Sequence, residues 1–153
     1  MMIMDVTHST FTLERHFPAP VARVFAAWAT PAARKRWMAQ GAEHSQDFTV
    51  GGLETVQGHD GEGRPLTYTA RYADIAPDER ILTTSTMHTG DQLSTVSVTS
   101  VEFHPDGAGT RVVLTEHGMY LPGQEQPQWR EQGTAQQLDT LAAELAADET
   151  KEN

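Results

Sequence analysis

The amino-acid sequence predicts one α+β domain: a curved antiparallel sheet of six to seven strands wrapped on a long C-terminal helix, with two short helices after the first strand. Three observations predict it. Apolar residues alternate with polar ones through most of the chain, the pattern of strands with one wet face. Helical spacing is confined to a segment after the first strand and to the chain's end. Pro- and Gly-rich turns punctuate the strands between those two helical regions.

The elements follow in order. Residues 10–17 place Phe11, Leu13 and Phe17 on one parity, which reads as a strand that Pro18-Ala19-Pro20 stops. Val21, Val24, Phe25 and Trp28 then recur at helical spacing, and Pro20 suits a first turn, where its missing N–H is not needed. Thr30-Pro31 ends that helix and opens a second over residues 31–38, with Thr30 as N-cap. Period two returns at residues 47–50, read as a short strand before the Gly51-Gly52 turn. Further strands are predicted over 53–57, 66–75, 81–88, 92–103 and 110–117. Residues 128–147 contain no Pro and one Gly. Leu138, Leu141 and Leu145 fall on one side and acidic residues on the other, an amphipathic helix with Trp129 near its start. Residues 148–153 are expected to fray, leaving an ordered core of about 10–147.

Composition narrows the function classes. The 153 residues fit one domain and suffice for a substantial core. The absence of Cys excludes disulfides, thiolate metal sites and a cysteine nucleophile, and it suits a reducing, cytoplasmic setting. The formal charge of −10 argues against a nucleic-acid partner. Residues 77–153 carry −9 of it, with 13 acidic and 4 basic side chains. No apolar run approaches the ~20 residues of a membrane span, and Met1-Met2-Ile3-Met4-Asp5 shows no secretory leader. Only 38% of residues are hydrophobic while 19 are Thr, as expected of a sheet wet on one face.

A sheet curving around one helix leaves a natural cavity between them, the concave setting that small-molecule sites prefer. Candidates for its lining are Trp37, Tyr68, Tyr72, Met87, Leu114, Glu116, Met119, Trp129 and Leu138. A buried Tyr brings a hydroxyl that needs a partner, and Met adapts to irregular ligands, although the same residues also fill ordinary cores. Glu116 and His117 adjoin on a strand and so point to opposite faces. If the cavity takes the parity of Leu114 and Glu116, the carboxyl sits among apolar neighbours as a general acid or base. Otherwise it is solvated, or paired with Arg71 or Arg111. Arg71, on the parity of Thr67 and Thr69, is expected to point outward. Arg34-Lys35-Arg36, the sole basic cluster, is read as a solvated helix face, or as a receiver for an acidic partner or the anionic head of a ligand. The seven His are scattered without metal-ligand spacing, so no metal is predicted. No glycine stretch completes a phosphate loop, and no cofactor is implied.

Several motifs carry a family resemblance spanning about residues 10–147. They are Leu13-Glu14-Arg15-His16-Phe17-Pro18-Ala19-Pro20, Val24-Phe25-Ala26-Ala27-Trp28 and Trp37. Asp47-Phe48-Thr49-Val50-Gly51-Gly52 resembles an Asp-x-Arg-x-Gly-Gly turn with Thr49 in place of Arg. Asp74-Ile75-Ala76-Pro77-Asp78-Glu79-Arg80-Ile81, Gly109-Thr110-Arg111-Val112-Val113-Leu114-Thr115, and Gly133 with Leu138-Asp139-Thr140-Leu141 complete the set, Thr134 standing where the pattern has Trp. Together they resemble the START-like (SRPBCC) superfamily, in its bacterial branch related to the activator of the heat-shock-protein ATPase. That resemblance implies a helix-grip fold.

Three functions follow as expectations. The first is binding of a small hydrophobic or aromatic molecule between sheet and helix. The second is an enzyme of cyclase or hydratase type in which Glu116, His88, His117 or a Tyr moves a proton. The third is a co-chaperone-like interaction domain, ranked last because the chain lacks the extra domain of the eukaryotic activators. Edge strands leave a homodimer open without requiring one.

Overall fold

The computed structural model describes residues 5–152, with side chains to residue 147. Residues 1–4, examined above for a leader, lie outside this range, as do the side chains of the tail expected to fray. Strand β1 (Thr7–Phe17) leads to α1 (Val21–Ala29) and α2 (Pro31–Arg34), which runs on as a π-helical turn (Lys35–Ala39). Six strands follow: β2 (Glu43–Gln46), β3 (Leu53–His59), β4 (Pro65–Ala76), β5 (Arg80–Thr89), β6 (Gln92–Asp106) and β7 (Gly109–Tyr120). Helix α3 (Pro127–Glu152) closes the chain, its backbone running past the expected end of the core. The α+β architecture is the one predicted: a seven-stranded sheet of order β1-β7-β6-β5-β4-β3-β2, antiparallel throughout.

Alternation dictates the sheet's two faces. Along β7, Thr110, Val112, Leu114, Glu116, Gly118 and Tyr120 are buried, while the residues between them are exposed or half-buried. The buried set turns toward α3, whose Leu138, Leu141 and Leu145 join the core. Two irregularities reshape the sheet. The pairing of β4 with β5 shifts between Tyr72 and Asp74, and that of β5 with β6 shifts between Met87 and His88. Such bulges bend a strand and increase its twist.

One predicted strand is corrected. Residues 47–50 form a turn, in which Asp47 O accepts from Thr49 N–H and Thr49 Oγ1 donates to the Asp47 carboxylate at 3.0 Å. Gly52 completes it, because a Cβ there would lie 2.2 Å from the Asp47 carbonyl oxygen. The strand comes earlier, in the polar segment Glu43–Gln46 at the sheet edge.

The short helices are held by side chains from elsewhere. The last four carbonyls of a helix lack intrahelical partners. In α1, Ala26 O accepts from Thr30 N–H, Ala27 O from Trp37 Nε1 at 2.9 Å, and Trp28 O from Gln46 Nε2 at 2.8 Å. Thr30 takes the N-cap position of α2 as expected, but its side chain makes no capping bond. Trp28 and Trp37 meet edge to face at 4.8 Å, and Trp28 meets Phe103 of β6 at 5.2 Å. These contacts, worth about 0.5–1.5 kcal/mol each beyond area burial, fix the two helices against one end of the sheet.

Candidate functional site

Between the inner face of the sheet and the first turns of α3 lies a cavity of about 270 Å³. Its apolar wall comes from Trp28, Trp37, Val56, Met87, Leu114 and Leu138, and its polar groups from two Arg, two Glu, two Tyr, three Thr and one Gln. The site residues expected from the sequence divide cleanly. Trp37, Tyr68, Tyr72, Met87, Leu114, Glu116, Trp129 and Leu138 line the cavity, although Trp129 is 62% exposed at its rim. Met119 does not: one residue past Gly118, it falls on the outer face and is 42% exposed. His117 shares that outer parity and bonds through Nδ1 to Thr10 Oγ1 at 2.9 Å. His88 follows the β5 bulge and is absent from the lining. The catalytic roles weighed for His88 and His117 therefore have no footing in the cavity.

Glu116 is on the cavity parity, but neither Arg71 nor Arg111 pairs with it. Arg71 points outward, as expected, and donates to Gly51 O, while Arg111 reaches Glu14. The partner is Arg130, one turn into α3, whose Nη2 and Nε donate to the two Glu116 oxygens at 2.7 and 3.2 Å. The Arg130 and Glu116 side chains are 11% and 5% exposed. A two-pronged pair of this kind supplies the compensation that buried charges need. Arg130 also lies 5.5 Å over the Tyr68 ring and 3.6 Å from Glu125.

A second buried pair contributes one member, Arg34, to the lining. Arg34 turns inward from α2, its Nε and Nη2 donating to Glu54 at 2.8 and 2.9 Å, and its guanidinium stacks 4.9 Å from the Trp37 ring. His44 Nε2 completes the cluster, 2.9 Å from Glu54. This corrects the reading of Arg34 as part of a solvated face. Only Lys35 and Arg36 are exposed, and Arg36 is tied to Glu144 of α3. Burial works against charge on both members of the inner pair, but their mutual attraction prevails: the Glu54 carboxyl is held below its ordinary range and the Arg34 guanidinium above its own.

Glu54, 1% exposed, is a buried carboxylate that the sequence reading did not single out, while its neighbour Leu53 is 42% exposed. The available signal was parity, since Glu54 shares a face with Val56. Arg130 and Glu125 were missed too, because the residues before a helix's apolar stripe carry no periodic signal.

The remaining polar groups are two phenols beside Thr83, Thr99, Thr134 and Gln137. Burial, then the Glu54 charge, pushes the Tyr72 hydroxyl up to about 12, and it accepts from Gln46 Nε2 at 2.7 Å. Burial also raises Tyr68. Its hydroxyl makes no hydrogen bond among the described residues, while Arg130 stacks on its ring. Glu125 is raised by burial against the pull of Arg130. No cluster of three or more His, Asp or Glu suited to a metal ion occurs among the described residues.

A curved antiparallel sheet closed by one long helix over a mostly apolar, phenol-bearing cavity defines a helix-grip domain of the START-like class. Within that class, the chain belongs to the family described as Activator of Hsp90 ATPase homolog 1-like protein, whose profile matches residues 18–146. Among solved structures, it is similar to the Mll3558 protein of Rhizobium loti at 43% identity, covering 92% of this chain and 99% of that one, with a TM-score of 0.86. A protein of Rhizobium leguminosarum is 36% identical over 94% of this chain and 97% of its own, with a TM-score of 0.89. Protein CV1439 of Chromobacterium violaceum, 27% identical, covers 89% and 96% with a TM-score of 0.74. No curated protein matches, and no described helix is long and apolar enough to cross a membrane.

Proposed function

We propose that the protein binds a small, largely apolar molecule in the cavity between the sheet and α3. The observation that carries this reading is a volume of about 270 Å³ held open by Trp37, Tyr72 and Leu138, each almost fully buried. A concave, mostly apolar space of this size with convergent polar groups is the setting that small-molecule sites take. Gly133 supports it: this mid-helix glycine lines the cavity, and a Cβ placed there would meet nothing within 4 Å. Glycine inside a helix costs about 1 kcal/mol relative to alanine, a cost that keeping the space open would account for.

Thermal melting against a library of hydrophobic and aromatic compounds tests the proposal. A ligand at a hundredfold excess over its Kd stabilises by about 2.7 kcal/mol, a readily measured rise in Tm. The rise should vanish in Val56→Trp, which fills the cavity, when that variant retains native circular dichroism. If no compound class raises Tm, the reading fails.

A further inference from the structure

The charges around the cavity say what kind of molecule it takes, on the premise that a ligand binds there. Two cationic side chains line it, Arg34 and Arg130, and an incoming carboxylate or phosphate would seek one of them. Neither fork is free. Arg34 gives Nε and Nη2 to Glu54, and Arg130 gives Nε and Nη2 to Glu116. The third terminus, Arg130 Nη1, faces Glu125 at 3.6 Å, and Arg130 Nη2 also lies 3.4 Å from Ser97 Oγ. Two guanidinium groups thus meet three carboxyl groups, so the cavity holds no uncompensated positive charge. Arg34 Nη1 makes no hydrogen bond among the described residues, but an anion reaching it would face the Glu54 charge, and one seeking either two-pronged edge would have to break a buried pair and strand a carboxylate away from water.

The free capacity lies elsewhere. Tyr68, on β4 opposite Met87 of β5, lines the cavity with a hydroxyl that has no hydrogen-bond partner among the described residues. Arg130 packs on its ring face. The Tyr72 oxygen accepts a hydrogen bond from Gln46 Nε2, which leaves its own O–H to donate. Two O–H donors on one strand, four residues apart and on one face, are therefore open to an acceptor. We propose that the cavity selects an uncharged, largely apolar molecule whose carbonyl-type oxygen accepts a hydrogen bond from the Tyr68 hydroxyl, and that it discriminates against the corresponding carboxylate.

Three probes of similar shape separate the terms: acetylnaphthalene, a neutral acceptor; ethylnaphthalene, with no acceptor; and naphthoate, an anion. Calorimetric titration at neutral pH should find acetylnaphthalene about tenfold tighter than ethylnaphthalene, as expected when a waiting donor is satisfied. Naphthoate should bind more than tenfold weaker than acetylnaphthalene. In Tyr68→Phe the advantage of acetylnaphthalene over ethylnaphthalene should disappear while ethylnaphthalene affinity stays the same. Tightest binding by naphthoate overturns the inference and leaves the cavity reading standing. So does an acetyl-to-ethyl ratio that Tyr68→Phe does not change. Binding of none of the three, together with a silent thermal screen, overturns the cavity reading and this inference with it.

Discussion

Arg130 and Glu116 join α3 to β7 through two hydrogen bonds, 2.7 and 3.2 Å long, at the boundary of the cavity. The pair is nearly buried, so each partner is needed to make the other tolerable. Replacing Glu116 with Ala should destabilise the fold by up to about 3–5 kcal/mol, because it leaves a buried cation with only Glu125, 3.6 Å away, to offset it. Changing both residues, as in Arg130→Met with Glu116→Leu, should recover most of that loss. Urea denaturation of Arg130→Met, Glu116→Leu and the double variant measures this coupling.

Glu54 makes the stability depend on acid. Its folded carboxyl is held below its ordinary range by Arg34 and His44 despite burial. A carboxyl depressed on folding contributes stability that is complete above its unfolded value, about 4.3, and is lost as pH falls through the lower folded value. Wild type should therefore lose stability below about pH 4 more steeply than Glu54→Gln. The comparison is made by chemical denaturation across that acid range, and parallel profiles would contradict it.

Trp37 should be irreplaceable even by another large aromatic. Trp37→Phe removes the indole N–H from Ala27 O and leaves a buried helix-terminal carbonyl unpaired, at a cost of about 1–3 kcal/mol. A lowered Tm with an unchanged far-ultraviolet spectrum is the expected result.

Gly133→Ala should act in opposite directions on stability and on binding. The empty protein should gain about 1 kcal/mol from improved helix propensity, since no atom stands within 4 Å of the new Cβ. Ligand affinity should fall, because the methyl projects into the cavity. Tm measured with and without a ligand found in the thermal screen tests both signs at once.

The fold was legible because its strands alternate and its helices do not. The parity of β4, with Leu66, Tyr68, Ala70 and Tyr72 on one face, can be read by eye and brings Tyr68 and Tyr72 to the cavity. The failures share a cause. Asp47-Phe48-Thr49-Val50 has strand composition, but the Asp47–Thr49 bonds and Gly52 fold it into a turn, and the true edge strand is polar because His44 and Gln46 serve buried partners. Sequence patterns read hydrophobic burial, so they passed over Glu54 and Arg34, whose burial is secured by each other. Met119 was misassigned by residue type when its parity with His117 already placed it outside.

The pairing of β1 with β7 has a kinetic consequence. Every other pair of neighbouring strands is consecutive in the chain, so a hairpin meander can assemble stepwise as the polypeptide lengthens. The first strand has no partner until the last exists: Thr10 and His117, hydrogen-bonded across the two, are 107 residues apart. Loop closure over such a separation is slow relative to hairpin formation. During synthesis, β1 must therefore wait as an unpaired, Phe-bearing segment until nearly the whole chain has emerged, and its docking is the step that completes the sheet.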